Sequence, residues 1–333
     1  MSNILVTGGA GYVGSVCCAE LLRQGHAVTI VDDLSTGSRE AVVPGAAFFQ
    51  LDIGNQEAMQ SLVSNIRFDA VFHFAAKALI PESVSNPALF FQHNVASGIA
   101  MLEVLRAAGI KNFVFSSSAA VYGMPERIPI DEDDRKSPVN SYGETKLIFE
   151  RILHWYAQAY GWSVTALRYF NASGATAELG ERHDPETHII PLLLQTAMGE
   201  RKTFNIYGDD YDTPDGTCLR DYVHVLDIAN AHICALQQIN QPGMRAYNIG
   251  LGKSYSVQEV CKAAEEVTGQ TIPLRVNARR DGDAPILCAS PARIMRELNW
   301  RPEHSSLHEI IESAWRWTAR QFSQPMAVAY AVR

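Results

Sequence analysis

The segment TGGAGYVG, from Thr7 to Gly14, constrains the fold of this 333-residue chain more than any other stretch. Its glycines Gly8, Gly11 and Gly14 follow an apolar run typical of a strand and open a segment with helical periodicity. Glycines between a strand and a helix allow close backbone approach to a pyrophosphate, which then faces the helix N-terminus. Asp32, at the end of the next predicted strand, is placed to accept from a ribose 2′-hydroxyl. The segment predicts a dinucleotide site, and the carboxylate favours NAD over NADP.

Strands and helices alternate through the first half of the chain. Six β-branched or aromatic runs predict buried strands, at 3–9, 27–33, 47–52, 69–75, 112–118 and 163–170. Helical periodicity appears between them, near 13–24, 56–66, 85–108 and 141–160. The alternation predicts an α/β fold with a doubly wound parallel sheet of the Rossmann type, whose ligands bind at the carboxyl ends of the strands.

The alternation weakens after Asn171, which indicates a second domain. We expect an NAD-binding domain over 1–171 with a return near 220–240, and a smaller mixed α/β nucleotide-sugar-binding lobe in the remainder of 172–333. The stretch from Arg220 to Leu236 predicts a short strand and an amphipathic helix that rejoin the sheet. The tail from Gln321 offers little to bury.

Composition excludes several classes of function. A net charge of -8 argues against nucleic acid or an anionic membrane as partner. No apolar run approaches the roughly 18 residues of a membrane span, and the first residues do not resemble a signal peptide. The six cysteines contain no CxxC pair, so we expect buried free thiols in a reducing, cytoplasmic setting.

The spacing GxxGxxG resembles the extended branch of the short-chain dehydrogenase/reductase superfamily, which uses a tyrosine and a lysine four residues apart. SYGETK supplies them as Tyr142 and Lys146, and Ser141 with Glu144 matches a capping box that would begin their helix. Residues i and i+4 share a helix face, so the ammonium lies beside the phenol. Ser118, the last of three serines that end the fifth strand, is placed to bridge Tyr142 and a substrate.

The phenol needs help to act as a base. Lowering a tyrosine pKa from about 10 to about 7 takes about 4 kcal/mol. One unit charge at ~5 Å supplies about 3 kcal/mol at an effective dielectric constant near 20, before any desolvation cost. We therefore expect Lys146 to act together with the positive ring of oxidised NAD.

Ten ordered segments, among them VDDLSTG, HFAAKALIPESV, LRYFNASGA, YGDDYDTPDGTCLRDYVHV and YNIGLG, resemble the UDP-glucose 4-epimerase (UDP-galactose 4-epimerase) family along nearly the whole chain. The resemblance implies catalytic roles for Ser118, Tyr142 and Lys146. It implies NAD contacts from the glycine-rich segment and from Tyr12, Val13, Asp32, Asp33, Leu34, Ser35, Thr36, Gly37, Asp52, Ile53, Phe74, Ala75, Ala76, Lys77, Asn94, Tyr142, Lys146 and Phe170. It implies substrate contacts from Ser118, Asn171, His188, Tyr207, Arg220, Arg280, Asp283 and Leu287.

The resemblance also implies an activity and an assembly. The expected reaction is reversible epimerisation at carbon 4 of a UDP-hexose, UDP-galactose to UDP-glucose, through a transient 4-keto sugar with NAD tightly bound. The expected assembly is a homodimer that pairs helices from each subunit.

Departures from the family pattern keep alternatives open. Ala78 replaces a frequent lysine, His188 replaces a frequent asparagine, and Leu287 is intermediate in size at a position that affects N-acetylated sugars. UDP-N-acetylglucosamine and UDP-glucuronate 4-epimerases remain alternatives, and a non-catalytic nucleotide-binding regulator is an alternative of a different class. Ala119 and Ala120 disfavour a dTDP-glucose dehydratase, which carries an Asp-Glu pair there.

The histidines of HDPETH, His183 and His188, raise the question of a metal site. Without a second histidine or cysteine cluster at ligand spacing, we expect a solvated loop and no bound metal.

Overall fold

The computed structural model describes residues 1–304 and 306–323. The strands, β1 to β14 in chain order, are Asn3–Thr7, Ala27–Asp32, Ala47–Gln50, Ala70–His73, Asn112–Ser118, Ser163–Tyr169, Asn171–Ser173, Phe204–Tyr207, Leu219–Arg220, Tyr222–His224, Gly243–Ile249, Tyr255–Ser256, Leu274–Asn277 and Ile286–Leu287. The α-helices, α1 to α11, are Tyr12–Arg23, Gln56–Asn65, Ile80–Ser85, Pro87–Phe91, Gly98–Ala107, Ser141–Tyr160, Ile189–Ala197, Val225–Ala235, Val257–Thr268, Ala292–Glu297 and Leu307–Ser323. The tail beyond residue 323 lies outside the described part of the chain.

Seven strands form one parallel sheet in the order β11-β6-β5-β4-β1-β2-β3. The chain reverses its direction of winding between β1 and β4, where a ligand crevice opens beyond the strand ends. Thr7 pairs with His73 at these ends, and the Thr7 hydroxyl lies 2.7 Å from His73 Nδ1. The predicted α/β fold with a doubly wound parallel sheet is confirmed.

Apolar layers cover both faces of the sheet. On one face α1 and α8 pack together, and side chains such as Val16, Leu21 and Ile228 are fully buried. On the other face α2, α5 and α6 bury Met59, Leu102 and Leu153. Because both faces are covered, the central strands are mostly apolar and are buried along nearly their whole length, with polar residues at their ends.

The return to the sheet differs from its prediction. The segment Arg220–Leu236 does contain a short strand and a helix, but β10 pairs with β7 in a separate two-stranded sheet. The strand that completes the main sheet is β11, at Gly243–Ile249, beside β6. The return therefore extends beyond residue 240.

The helix predicted over 85–108 is interrupted. Pro87 occupies the first turn of α4 and Asn86 caps it, so α3 and α4 are separate. The helix then passes through a π-helical stretch at Gln92–Ser97 before it continues as α5. Such wide turns occur frequently at functional sites.

The second lobe has its own apolar core. Helices α7, α9 and α11 pack around Leu193, Val260 and Ile310. The parallel pair β8 and β13 and the three-stranded sheet β12-β9-β14 flank this core. Ser256 and Glu259 form a capping box that begins α9.

One helical stretch among the described residues, Pro87–Ala107, is long and apolar enough to cross a membrane by length and composition alone. It has 44% of its apolar window buried inside the protein. Met101, Leu102 and Leu105 of this stretch belong to the core beneath the sheet, so it is a core helix here. The cysteines are free, as predicted, and all except Cys234 are buried.

Candidate active site

The glycine-rich turn joins β1 to α1 at the switch point of the sheet. Gly8 has φ of +75°, and a Cβ there would lie 2.4 Å from the amide nitrogen of Ala75. A Cβ on Gly14 would lie 2.2 Å from the carbonyl oxygen of Gly8. At Gly11, by contrast, the nearest protein atom to a Cβ would be 3.4 Å away. Gly8 and Gly14 are thus required by the protein's own packing, whereas Gly11 leaves space that a ligand can enter.

The first turn of α1 suits an anion. Gly11 is its N-cap residue and provides no side chain to bond the first amides. The N-terminal end of the helix carries partial positive charge. This turn fits a pyrophosphate without rearrangement.

Asp32 lies at the end of β2 and is 7% exposed. Its Oδ2 accepts from the Ala10 amide and its Oδ1 from the Leu34 amide. Burial raises the pKa of Asp32, and these two hydrogen bonds oppose the rise. The carboxylate therefore has a fixed orientation at the mouth of the glycine-rich turn, where a ribose would lie.

Asn94, in the π-helical stretch, fixes the loop after β4. Its Oδ1 accepts from the Lys77 amide, and its Nδ2 donates to the Lys77 carbonyl and to Thr145 Oγ1. Lys77 Nζ lies 3.1 Å from Ser35 Oγ across the crevice. Asn94 thus couples this loop to α6 from behind.

Helix α6 carries the predicted tyrosine and lysine. Its N-cap is Asn140, whose side chain accepts from the Gly143 amide, so the predicted capping box of Ser141 and Glu144 is not the cap that forms. Asn140 prevails because it takes the extended backbone conformation that a cap needs, while Ser141 is already helical. The cap sets Tyr142 in the first turn and Lys146 one turn later.

Lys146 is 4% exposed, and its Nζ donates to the Ser116 carbonyl oxygen at 2.7 Å. Nζ lies 5.8 Å from the centre of the Tyr142 ring. Burial lowers the pKa of Lys146 to about 7, against the opposing effect of Glu150. The ammonium therefore loses its proton far more easily than that of an exposed lysine.

The pKa of Tyr142 is raised by burial, and the hydroxyl of Ser118 lowers it only in part. The surroundings that the protein supplies thus leave the phenol protonated at neutral pH. This agrees with the expectation that Lys146 alone does not make Tyr142 a base.

A buried ion pair below Lys146 was not anticipated from the sequence. Arg168 on β6 and Glu150 on α6 are both 5% exposed and 2.6 Å apart, and Ser117 donates to the same carboxylate. Arg168 also donates to the Tyr122 hydroxyl. Glu150 follows Lys146 by four residues, and this spacing could have indicated that its carboxylate lies on the same helix face as the lysine.

The second lobe supplies the opposite wall. The Arg220 guanidinium donates to the Leu219 and Ala284 carbonyls and lies 3.7 Å from the Asp283 carboxylate. The Arg280 guanidinium lies 3.9 Å from the centre of the Tyr207 ring. Two arginines on one wall can offset the charge of a diphosphate.

Asp221, next to Arg220, holds this wall in place. Its carboxylate accepts from the amides of Leu251, Gly252 and Ala289. Burial raises the pKa of Asp221 to about 6. Asn171 donates to the Asp221 carbonyl, which links the wall to the end of the first domain.

These groups line one cavity of about 1140 Å³ that runs from the glycine-rich turn to the second lobe. All predicted catalytic and substrate-contacting residues line it, as do all predicted NAD-contacting residues except two. Leu34 lies in a left-handed turn with φ of 61° and its amide bonds Asp32. Asn94 is buried behind Lys77. These two support the cavity wall and do not form it.

A further stretch of the wall, Glu181 to His188, departs from the expected solvated loop. Glu181, His183, Glu186 and His188 all line the cavity. The side chains of Glu181 and Glu186 are 10% and 7% exposed, and both carboxylates raise the pKa of nearby Tyr12, after the larger effect of burial. The motif HDPETH omits Glu181, so sequence reasoning missed the carboxylate that brings the two histidines together.

Comparison with known proteins decides the family. The sequence profile of the NAD dependent epimerase/dehydratase family matches residues 4–250 of this chain. The chain belongs to this family. The UDP-glucose 4-epimerase from Corynebacterium glutamicum is 46% identical to this chain over 317 residues. The aligned region covers 95% of this chain and 96% of that protein.

Solved structures of the same family superpose closely. The UDP-glucose 4-epimerase from Brucella ovis in complex with NAD is 44% identical, with a TM-score of 0.91, covering 95% of this chain and 98% of that one. The enzyme from Bifidobacterium longum in complex with NAD⁺ and UDP is 34% identical, with a TM-score of 0.91, covering 96% and 98%. The resemblance to UDP-glucose 4-epimerases that the sequence motifs indicated is confirmed.

Proposed function

We propose that this chain is an isomerase that interconverts UDP-galactose and UDP-glucose at carbon 4 with bound NAD. The observation that carries the proposal is that Tyr142, Lys146 and Ser118 line one cavity. The glycine-rich turn and the two arginines of the second lobe line the same cavity. The relatives at more than 40% identity over nearly their whole length support the same activity.

The cavity fits NAD on structural grounds. The open space at Gly11, the uncapped first turn of α1 and the oriented Asp32 carboxylate match a pyrophosphate and a ribose. When bound, NAD supplies the oxidation and reduction of carbon 4. The protein's own residues then have to orient the sugar, move one proton and exclude water.

Tyr142 is assigned the proton transfer. Its ionised phenolate oxygen takes the proton of the sugar 4-hydroxyl, becomes the neutral phenol, and later returns the proton, while Ser118 Oγ orients both oxygens. Lys146 stabilises the phenolate by its charge. Because the phenol is protonated in the surroundings that the protein provides, its ionisation would require positive charge from a bound cofactor in addition to Lys146.

The second lobe is assigned the UDP. Arg220 and Arg280 neutralise the diphosphate, Tyr207 and Asn171 contact the nucleotide, and Asp283 orients Arg220. Leu287 lies near the sugar end, where pocket size sets discrimination by about 10- to 200-fold per methylene-scale change. We propose a division into an NAD domain over 1–171 and a nucleotide-sugar lobe, with the return to the first domain ending at β11.

A single assay tests the proposal. Purified protein given UDP-galactose and no added NAD should form UDP-glucose until the two reach equilibrium, followed by NMR. A strict requirement for added dinucleotide, with accumulation of its reduced form, would identify a dehydrogenase instead. UDP-N-acetylgalactosamine and UDP-glucuronate in the same assay test the two alternative sugar specificities.

We further propose that the protein is a cytoplasmic homodimer. Trp155 on α6 is 69% exposed, and Phe91 and Ile99 on the neighbouring Pro87–Ala107 helix are exposed as well. Ile148 and Ile152 continue the apolar stripe on α6 at helical spacing. An apolar face on two adjacent helices suits a second copy that presents the same face.

Light scattering after gel filtration tests the dimer. Trp155→Glu should yield a monomer at concentrations where the wild type is dimeric. Lys262→Glu, at a side chain on α9 of the second lobe that is 80% exposed, is the matched control and should remain dimeric. A Trp155→Glu protein that stays dimeric would exclude this interface.

A further inference from the structure

The stretch Glu181 to His188 brings three metal-binding side chains together on the cavity wall, with Glu186 beside one of them. Glu181, His183 and His188 each offer a ligand atom, and these atoms all lie within 4.8 Å of one another. Glu186 Oε1 lies 2.8 Å from His188 Nδ1 and adds a fourth donor. We propose that Glu181, His183, His188 and Glu186 form a binding site for a zinc ion.

The donor set selects the metal. Two imidazole nitrogens with carboxylate oxygens are a ligand combination used for Zn²⁺, whereas Mg²⁺ and Ca²⁺ prefer oxygen ligands. Four protein donors correspond to a closed tetrahedral site, which is structural in character. The proposed role is therefore to fix this stretch of wall and to neutralise its two carboxylates.

The contacts inside the cluster are as close as those between ligands of one ion. His183 Nδ1 is buried and lies 2.5 Å from Glu181 Oε1, with which it forms an ion pair when the ring is protonated. The other oxygen, Oε2, is 3.7 Å from His188 Nδ1. Around tetrahedral zinc, ligand atoms at about 2.0–2.1 Å from the ion are about 3.3 Å apart, and the contacts of 2.5, 2.8 and 3.7 Å lie on both sides of this separation.

The stretch is held in position by contacts outside the cluster. A Cβ on Gly180 would lie 2.5 Å from the Trp317 ring, so the chain packs directly on α11 before Glu181. Arg182 forms a 3.0 Å ion pair with Glu40 of the first domain and lies over the Trp317 ring. Helix α7 begins directly after His188. The donors therefore converge on a supported segment.

The two carboxylates lack another source of positive charge. No lysine or arginine in the described part of the chain forms an ion pair with Glu181 or Glu186; their partners are His183 and His188. Both lie on the wall of a cavity that, under the proposed function, takes two diphosphates. A zinc ion offsets these charges, although the metal site itself does not depend on which substrate the cavity binds.

The test measures metal directly in the tag-free, NAD-loaded protein. After removal of metal with EDTA, titration with Co²⁺ should give the visible bands of a tetrahedral ion at one equivalent per chain, and Zn²⁺ should abolish them. His183→Ala should weaken binding by more than about 100-fold, because loss of second-shell partners alone typically costs 10- to 100-fold. Glu181→Gln, which keeps the shape of the side chain, should also weaken it.

Controls keep the result interpretable. His154→Ala, at an exposed histidine on α6, should bind Co²⁺ as the wild type does. Circular dichroism and NAD content should show that His183→Ala and Glu181→Gln are folded. Binding well below one equivalent, unchanged affinity in both folded variants, or cobalt–thiolate charge-transfer bands from the cysteines would overturn the proposal. Epimerase activity is not the readout, so failure of the proposed function and failure of the metal site are distinguishable.

Discussion

Replacing Lys146 with methionine should stabilise the protein while it abolishes activity. The lysine is 4% exposed and its ammonium bonds one carbonyl, which is little compensation for lost hydration. Burial lowers its pKa to about 7 in the folded protein, below the ordinary value of 10.5 for a lysine. Each unit of pKa shift corresponds to about 1.36 kcal/mol. The folded state therefore carries a cost of up to about 5 kcal/mol when the ammonium is forced to stay charged.

The sign of the pH dependence follows from this lowered pKa. Between about pH 7 and pH 10 the unfolded chain binds a proton at Lys146 that the folded chain does not, so stability rises with pH. The excess stability of Lys146→Met should be about 5 kcal/mol at pH 6 and about 2 kcal/mol at pH 9. Side-chain size is nearly conserved, which keeps packing changes small.

Urea denaturation at fixed protein concentration, with NAD removed, measures the difference at pH 6, 7, 8 and 9. Lys111→Met, at an exposed lysine, is the matched control and should change stability by no more than about 0.5 kcal/mol at any pH. A stability difference that stays constant from pH 6 to pH 9, or a less stable Lys146→Met, would refute the assignment of a buried, destabilised ammonium.

Three other predictions follow from the site. Tyr142→Phe should lower kcat by at least about 100-fold in the UDP-galactose assay, with NAD content unchanged, since it removes the group that moves the proton. Gly11→Ala should fold like the wild type yet purify without NAD. Gly14→Ala should lose about 1–3 kcal/mol of stability, because the Cβ at position 14 collides with the protein backbone and the Cβ at position 11 does not. Equal melting temperatures of the two variants would contradict this. Glu150→Ala should cost about 3–5 kcal/mol by leaving Arg168 buried without its partner, and Glu150→Leu combined with Arg168→Met should recover most of the loss in chemical denaturation.

Local patterns predicted the parts of the site that depend on local geometry. Gly8, Gly11 and Gly14 occupy the turn that their spacing indicated, and Tyr142 and Lys146 share a face of α6 because residues i and i+4 do so in any helix. These relations are fixed within one element and its adjoining turn. They hold whatever the rest of the chain does.

Features that depend on distant contacts were not predicted. Strand β11 mixes half-buried and buried residues, since it lies at the edge of the sheet, and so lacks the continuous apolar signal of β1 or β6. The cap at Asn140 competes with Ser141, and the direction from which the loop enters α6 decides between them. The approach of Glu181 to His183 and His188 depends on how the irregular segment before α7 turns, which residue spacing does not specify.

Burial lowers the pKa of Lys146 to near neutrality, and the ion pair beneath α6 leaves Glu150 a weak opponent of this effect. Glu150 lies one turn below Lys146 and raises its pKa, but the same carboxylate is bonded twice by Arg168 and once by Ser117. A carboxylate shared in this way is a weaker counterion for the ammonium than a free one. Burial then prevails, and Lys146 sits where a small change in local charge alters its ionisation. A lysine poised in this way responds to the charge of the group beside it, which is the property that the proposed proton transfer at Tyr142 requires.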